Sequence, residues 1–219
     1  VLVVKKIHNG YELVSRGNTR LTILKQLYSD TSDSLYSHVS CIVVDSTHEQ
    51  TVISHLIEND ARGDLTFTDR VVAIGAVIDS QRTVQKKLSA KSLSSHLANE
   101  GYLIGTTTAY WIIYAHDHIR ENMPNIFESI GKPAIEKHSK LTNAFFRFIR
   151  KLNNVQDDAE ASKAAKRIWL QLDVMSKGKF DFKLALDLFA SFIADNNHEP
   201  DFFFREFNEF CLDKLMNDP

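Results

Sequence analysis

The chain has 219 residues, 43% of them apolar, with 26 Lys and Arg against 28 Asp and Glu for a formal net charge of −2. This composition buries a core and excludes a uniformly basic nucleic-acid binder, so any affinity for nucleic acid has to come from a local patch. The longest apolar runs, such as Ile42 to Val44 and Trp111 to Tyr114, fall far short of the ~20 residues of a bilayer-spanning helix, and no charged-then-apolar leader opens the chain. The two cysteines, Cys41 and Cys211, lie far apart in sequence, the first inside an apolar strand-like run. Two buried thiols in a reducing cytoplasm are expected, rather than a disulfide framework or a zinc site.

In chain order, Val1 to Ile7 is apolar and β-branched, His8-Asn9-Gly10 signals a tight turn, and Tyr11 to Ser15 resumes a strand, which together predict a β-hairpin. The opening in mid-strand suggests that elements precede Val1. Leu21, Leu24 and Leu27 recur at helical spacing from Asn18 onward, and Ser29 to Ser37 is a polar loop. Val39 to Asp45 reads as a buried strand, and Thr47 to Asn59 as a helix with Val52, Ile53, Leu56 and Ile57 on its inner face. After Gly63 the pattern turns helical. Thr66 with Asp69 starts a helix through about Ile78, and Ser89 caps a short helix with Leu93, Leu97 and Ala98 that Gly101 ends. A further helix runs from Thr106 to about Arg120. Two short helices across a glycine-containing turn have the sequence form of a helix-turn-helix. Pro124 and Gly131-Lys132-Pro133 separate these from helices near 134–153, 158–175, 181–195 and 200–216.

Three places carry candidate chemistry. Gly17-Asn18-Thr19-Arg20 delivers a strand into a helix N-terminus, where free N–H groups and the helix dipole attract phosphate, although a glycine there also serves as a plain turn. Glu58-Asn59 with Arg62-Gly63-Asp64 and Thr66 can hold a nucleoside triphosphate and its Mg²⁺, with Glu58 on the metal side and Arg62 on phosphate, or form an exposed charged loop. In the helix-turn-helix, Thr106, Thr107, Thr108 and Tyr110 are the candidate DNA-facing residues, flanked by Lys86, Lys87, Lys91 and Arg120. Residues 106–119 hold no Lys or Arg, so base-edge contacts would fall to threonines. Trp111, Ile112 and Ala115 are expected in the core. His116 and His118 point about 200° apart on a helix and do not share an ion. The aromatic clusters Phe145-Phe146-Phe148 and Phe202 to Phe210 are expected to be mostly core, with a dimer surface as one use.

Tyr11-Glu12-Leu13-Val14, Gly17-Asn18-Thr19-Arg20-Leu21 and Glu58-Asn59-Asp60-Ala61-Arg62-Gly63-Asp64-Leu65-Thr66-Phe67 resemble the second and third boxes of ParB-like partition proteins, most closely those of integrating conjugative elements. The usual boxes read Gly-Glu-Arg-Arg and Glu-Asn-x-Gln-Arg, so Arg20, Glu58, Asn59 and Arg62 match while Asn18, Thr19 and Ala61 depart. The departures bear on hydrolysis and on CTP binding itself.

The resemblance implies an α+β chain: a small ParB/sulfiredoxin-like α/β nucleotide-binding domain over 1–64, a helix-turn-helix DNA-binding domain over 65–131 and a helical C-terminal region over 132–219. It implies a partition or maintenance factor of a mobile element, homodimeric, cytoplasmic and nucleoid-associated, bound to double-stranded DNA and partnered by a ParA-type ATPase. CTP with Mg²⁺ would be gripped by Gly17, Asn18, Thr19, Arg20, Glu58, Asn59 and Arg62, with weak CTPase activity in prospect. Two other classes stay open: a helix-turn-helix transcriptional regulator without nucleotide, and a metal-dependent nuclease using Glu58, Asp60 and Asp64. Sulfiredoxin chemistry is disfavoured because no cysteine lies near Gly17.

Overall fold

The computed structural model describes residues 1–15, 17–63, 65–84, 87–153, 158–195 and 200–217, excepting the side chains of 15, 84, 153, 158, 200, 203, 204 and 212–217. It divides into two compact units, Val1–Ile113 and Tyr114–Pro219. The segment expected as 1–64 and the larger part of 65–131 thus fall in one unit. The described residues are mostly helical with one small sheet, an α+β composition. No helix among them is long and apolar enough to cross a membrane.

The first unit opens with the hairpin β1 (Leu2–Ile7) and β2 (Gly10–Ser15). The pair is antiparallel and closes with Ile7 opposite Gly10, whose φ of 142° is one that few side-chain-bearing residues adopt. β3 (Cys41–Val43) joins β1 in parallel to give the order β2-β1-β3. Period-2 alternation turns Leu2 and Val4 inward, and Lys5 is held at 3.1 Å from Glu12 across the hairpin.

β3 corrects the expected buried strand. It spans three residues at a sheet edge, and Cys41, Ile42 and Val43 are all exposed. An apolar run is buried only where a second layer covers it, so Cys41 is an exposed thiol; Cys211 is the buried one. Burial pushes the Cys211 thiol up to about 12.

α1 (Asn18–Thr31) follows the hairpin and has no fully buried residue; Leu21, Leu24 and Leu27 are half-buried. A 3-10 turn at Ser34–Tyr36 interrupts the expected loop. α2 (His48–Arg62) starts with a reciprocal capping box between Thr47 and Gln50 and ends at Gly63 in the left-handed conformation. Its inner face buries Thr51, Ile53 and Leu56, while Ile57 is exposed.

α3 (Phe67–Val84) runs past the expected end and begins with mutual bonds, the Thr66 amide to Asp69 Oδ2 at 3.0 Å and the Asp69 amide to Thr66 Oγ1 at 3.1 Å. α4 (Ala90–Asn99) is capped by Ser89, whose Oγ accepts from the Ser92 amide at 3.0 Å. α5 (Thr106–His118) follows a turn in which Gly101 has φ 88° and the Ser94 hydroxyl donates to the Ile104 carbonyl at 2.7 Å. Ile74, Ile78, Leu93, Leu97 and Ile112 are fully buried around this helix pair.

The second unit holds α6 (Pro124–Phe127), α7 (Lys132–Asn153), α8 (Asp158–Met175), α9 (Phe182–Asp195) and α10 (Pro200–Asn217). Its core packs aromatic rings tilted or edge to face: Phe145 against Phe189 at 4.8 Å, Phe148 against Phe207 at 5.2 Å and Trp169 against Phe189 at 5.0 Å between centroids. Phe202 is exposed. The buried carboxylate of Asp173 accepts from the amides of Asn125 and Ile126 at 3.2 and 2.8 Å and from Asn125 Nδ2 at 2.8 Å. A buried charge is tolerated there because donors at the start of α6 satisfy it.

Candidate functional site

Two segments far apart in sequence meet at one cavity in the first unit. The hairpin returns the chain beside its own start, and β2 hands it to Gly17, the residue before α1. Gly17 has φ 121°, and a Cβ there would lie 2.2 Å from Leu2 Cδ2, so the junction requires glycine. No side chain caps α1 and no acid stands in its first turn. The N–H groups at its start, together with the positive end of the dipole, are open to an anion.

α2 supplies the opposite wall. His55, Glu58, Asn59 and Arg62 follow the i, i+3, i+4, i+7 spacing of one helical face, and they line a cavity of about 580 Å³ with Val1, Leu2, Gly17, Asn18, Thr19 and Arg20. Every nucleotide-binding residue expected from sequence reaches this wall. His55, Val1 and Leu2 are additions; helical spacing back from Glu58 points to His55, whereas the two N-terminal residues have no sequence signal.

Within the wall, Arg62 donates to the largely buried Glu58 carboxylate, with Arg62 itself exposed. The size lies within the ordinary range for small-molecule sites. An open helix N-terminus with Arg20, Arg62 and His55 suits an anionic ligand, and Asn18, Thr19 and Asn59 add polar recognition. No group of three or more His, Cys, Asp or Glu suited to a metal occurs among the described residues. Glu58 is the one carboxylate among the described residues lining the cavity, and it would hold Mg²⁺ with phosphate and water completing the shell, a pattern usual for this ion.

Two of the three acids of the nuclease reading are described. Glu58 lines the cavity, Asp60 pairs with Arg70 of α3, and Asp64 lies outside the described residues. Asp60 also acts on the buried Tyr102, whose hydroxyl is pushed up by burial and by that carboxylate.

In the segment expected as a helix-turn-helix, Thr106, Thr107 and Tyr110 are exposed and Thr108 is half-buried, so the start of α5 presents hydroxyls and first-turn N–H groups outward. Lys87 and Lys91 are exposed. Lys86 lies outside the described residues. Arg120 is exposed but belongs to the second unit, beyond the end of α5.

The first unit also carries contacts between helices. His96 of α4 pairs with Glu49 in the first turn of α2, and its Nε2 lies 3.3 Å from Gln81 Nε2 of α3. No protein-family model, no curated protein and no solved structure matches the chain.

Proposed function

We propose that this chain is a DNA-binding protein of the ParB-like kind, whose first unit takes a nucleoside triphosphate, CTP with Mg²⁺, between the start of α1 and the C-terminal half of α2. The observation that carries the reading is that Gly17–Arg20 and Glu58–Arg62, separated by nearly forty residues of chain, line one cavity. Had they faced apart, no single triphosphate could engage both.

In this reading the α1 amides and Arg20 would hold phosphate oxygens, Arg62 would be the second phosphate partner, and Glu58 would stand on the metal side. Asn59 and Thr19 orient the ligand. The bound nucleotide supplies attachment energy and a hydrolysable bond; the residues here bind and position it. α5 contacts duplex DNA through Thr106, Thr107, Thr108 and Tyr110, with Lys87 and Lys91 beside them as phosphate contacts. A homodimer, nucleoid association and a ParA-type ATPase partner follow from the sequence resemblance alone.

Calorimetric titration with CTP, ATP and GTP in Mg²⁺, on the chain and on Arg20→Ala, tests the nucleotide half. CTP-selective binding that the variant loses is expected. No binding to any of the three would leave a DNA-binding regulator that works without nucleotide.

A further inference from the structure

α7 carries six lysines and arginines against Glu136 alone, in a chain whose net charge is −2. Its buried side, with Ile135, Leu141, Phe145 and Phe148, faces the core. Lys140, Asn143, Arg147 and Arg150 recur at three- and four-residue steps on the opposite side and are all exposed. Beside them, Asn143, Phe146, Arg147 and Arg150 of α7 and Ser162 of α8 line an open groove of about 390 Å³.

We infer that this face of α7, with Ser162 at its edge, is a contact surface for the phosphate backbone of duplex DNA, additional to the helix-turn-helix. The inference rests on the DNA-binding reading above and deepens it. Three observations select the ligand. Two guanidinium groups with an amide and a hydroxyl are donors suited to phosphate oxygens. From Lys140 to Arg150 the helix advances about 15 Å, a length that suits a row of phosphates better than a single anion. Phe146 is the one aromatic side chain among the described residues lining the groove, and it is half-buried. Successive bases of a single strand would find no series of stacking platforms there. The contact is consequently to backbone and blind to sequence. It also supplies the cationic charge that α5 lacks.

The test is the affinity of the full chain for a duplex of arbitrary sequence, measured between 0.05 and 0.3 M salt, a range on the scale where counterion release is read. Arg147→Ala with Arg150→Ala should flatten the slope of log affinity against log salt by about 2 and weaken binding about 60-fold at 0.1 M, at roughly 0.9 decade per phosphate contact. Arg147→Lys with Arg150→Lys should keep the slope. Lys179→Ala with Lys183→Ala, exposed cations elsewhere in the unit, should change little. If the wild type binds duplex and the arginine pair leaves the slope unchanged, or falls only as far as the Lys179 and Lys183 pair, the inference is overturned while the DNA-binding reading stands. Loss confined to single-stranded DNA or to anionic lipid vesicles overturns the choice of ligand. A wild-type chain that binds no duplex overturns both.

Discussion

Residues 1–63 and residues 132–217 fill their interiors in opposite ways. The first segment buries Leu2, Val4, Val14, Ile53 and Leu56 and leaves Ile7, Tyr11, Ile23, Tyr28, Leu35, Ile42 and Val43 exposed. The second packs Phe145, Phe148, Trp169, Phe189 and Phe207 at 2% exposure or less. The candidate ligand cavity lies in the thinly packed segment, and the basic face of α7 is mounted on the dense one. Regions that must adjust around a ligand come from the low-stability end of a structure.

The largest test of this contrast is in the aromatic core. Trp169→Ala and Phe207→Ala should each cost about 3–5 kcal/mol in denaturant unfolding, with the loss of amide protection confined to 114–217 and residues 1–63 unchanged. The converse is ligand-driven. At a hundred times its dissociation constant, CTP with Mg²⁺ should add about 2.7 kcal/mol to the wild type, seen as new protection at 17–20 and 55–62. Arg20→Ala should abolish that gain and shift the unliganded stability by under about 0.5 kcal/mol, because its side chain is exposed.

Acid should weaken the second unit through His138. This imidazole is buried, its Nδ1 lies 2.9 Å from the Tyr114 hydroxyl, and its ring stacks 4.0 Å from Trp169. Burial, with His118 nearby, lowers its pKa to about 3. The unfolded chain takes up this proton near the ordinary histidine value and the folded chain does not. Stability is therefore full above about pH 6.5 and declines as pH falls toward 3, with about 2 kcal/mol gone by pH 5. His138→Gln should flatten that dependence in unfolding curves at pH 5 and 7.

The smallest effect lies in the Thr66 and Asp69 cap of α3. Thr66→Ala should cost about 1 kcal/mol at neutral pH. The Thr66 hydroxyl and amide hold the Asp69 carboxyl below its usual value, so this contribution is present above the ordinary carboxylate pKa and disappears as pH falls below it. Asp69→Asn should remove that acid dependence from the melting curve.

Local signals made much of the fold legible. His8-Asn9-Gly10 located the hairpin turn, Thr66 with Asp69 and Ser89 located helix starts, and the long C-terminal helices fell close to their expected bounds. What failed depended on partners distant in sequence. β3 reads as core because its residues are apolar, yet burial depends on what covers an edge strand. Leu21, Leu24 and Leu27 marked a helix without revealing that none of its residues is fully buried. Pro124 was taken as punctuation, whereas it opens α6, whose Asn125 amide is held by Asp173, 48 residues further on. The cavity wall was legible where residues matched a motif; His55 was missed because only the helical spacing of α2 exposes it.

α2 has one more consequence. Glu49 at its start holds His96 of α4, Asp60 in its last turn holds Arg70 of α3, and the face between them and alongside carries His55, Glu58, Asn59 and Arg62. The helix is about 20 Å long between Glu49 and Arg62 and is tied near both ends to its neighbours α4 and α3. Two side-chain pairs thus connect the cavity-lining helix to its neighbours, and a ligand that displaces α2 would have to carry both contacts along or break them.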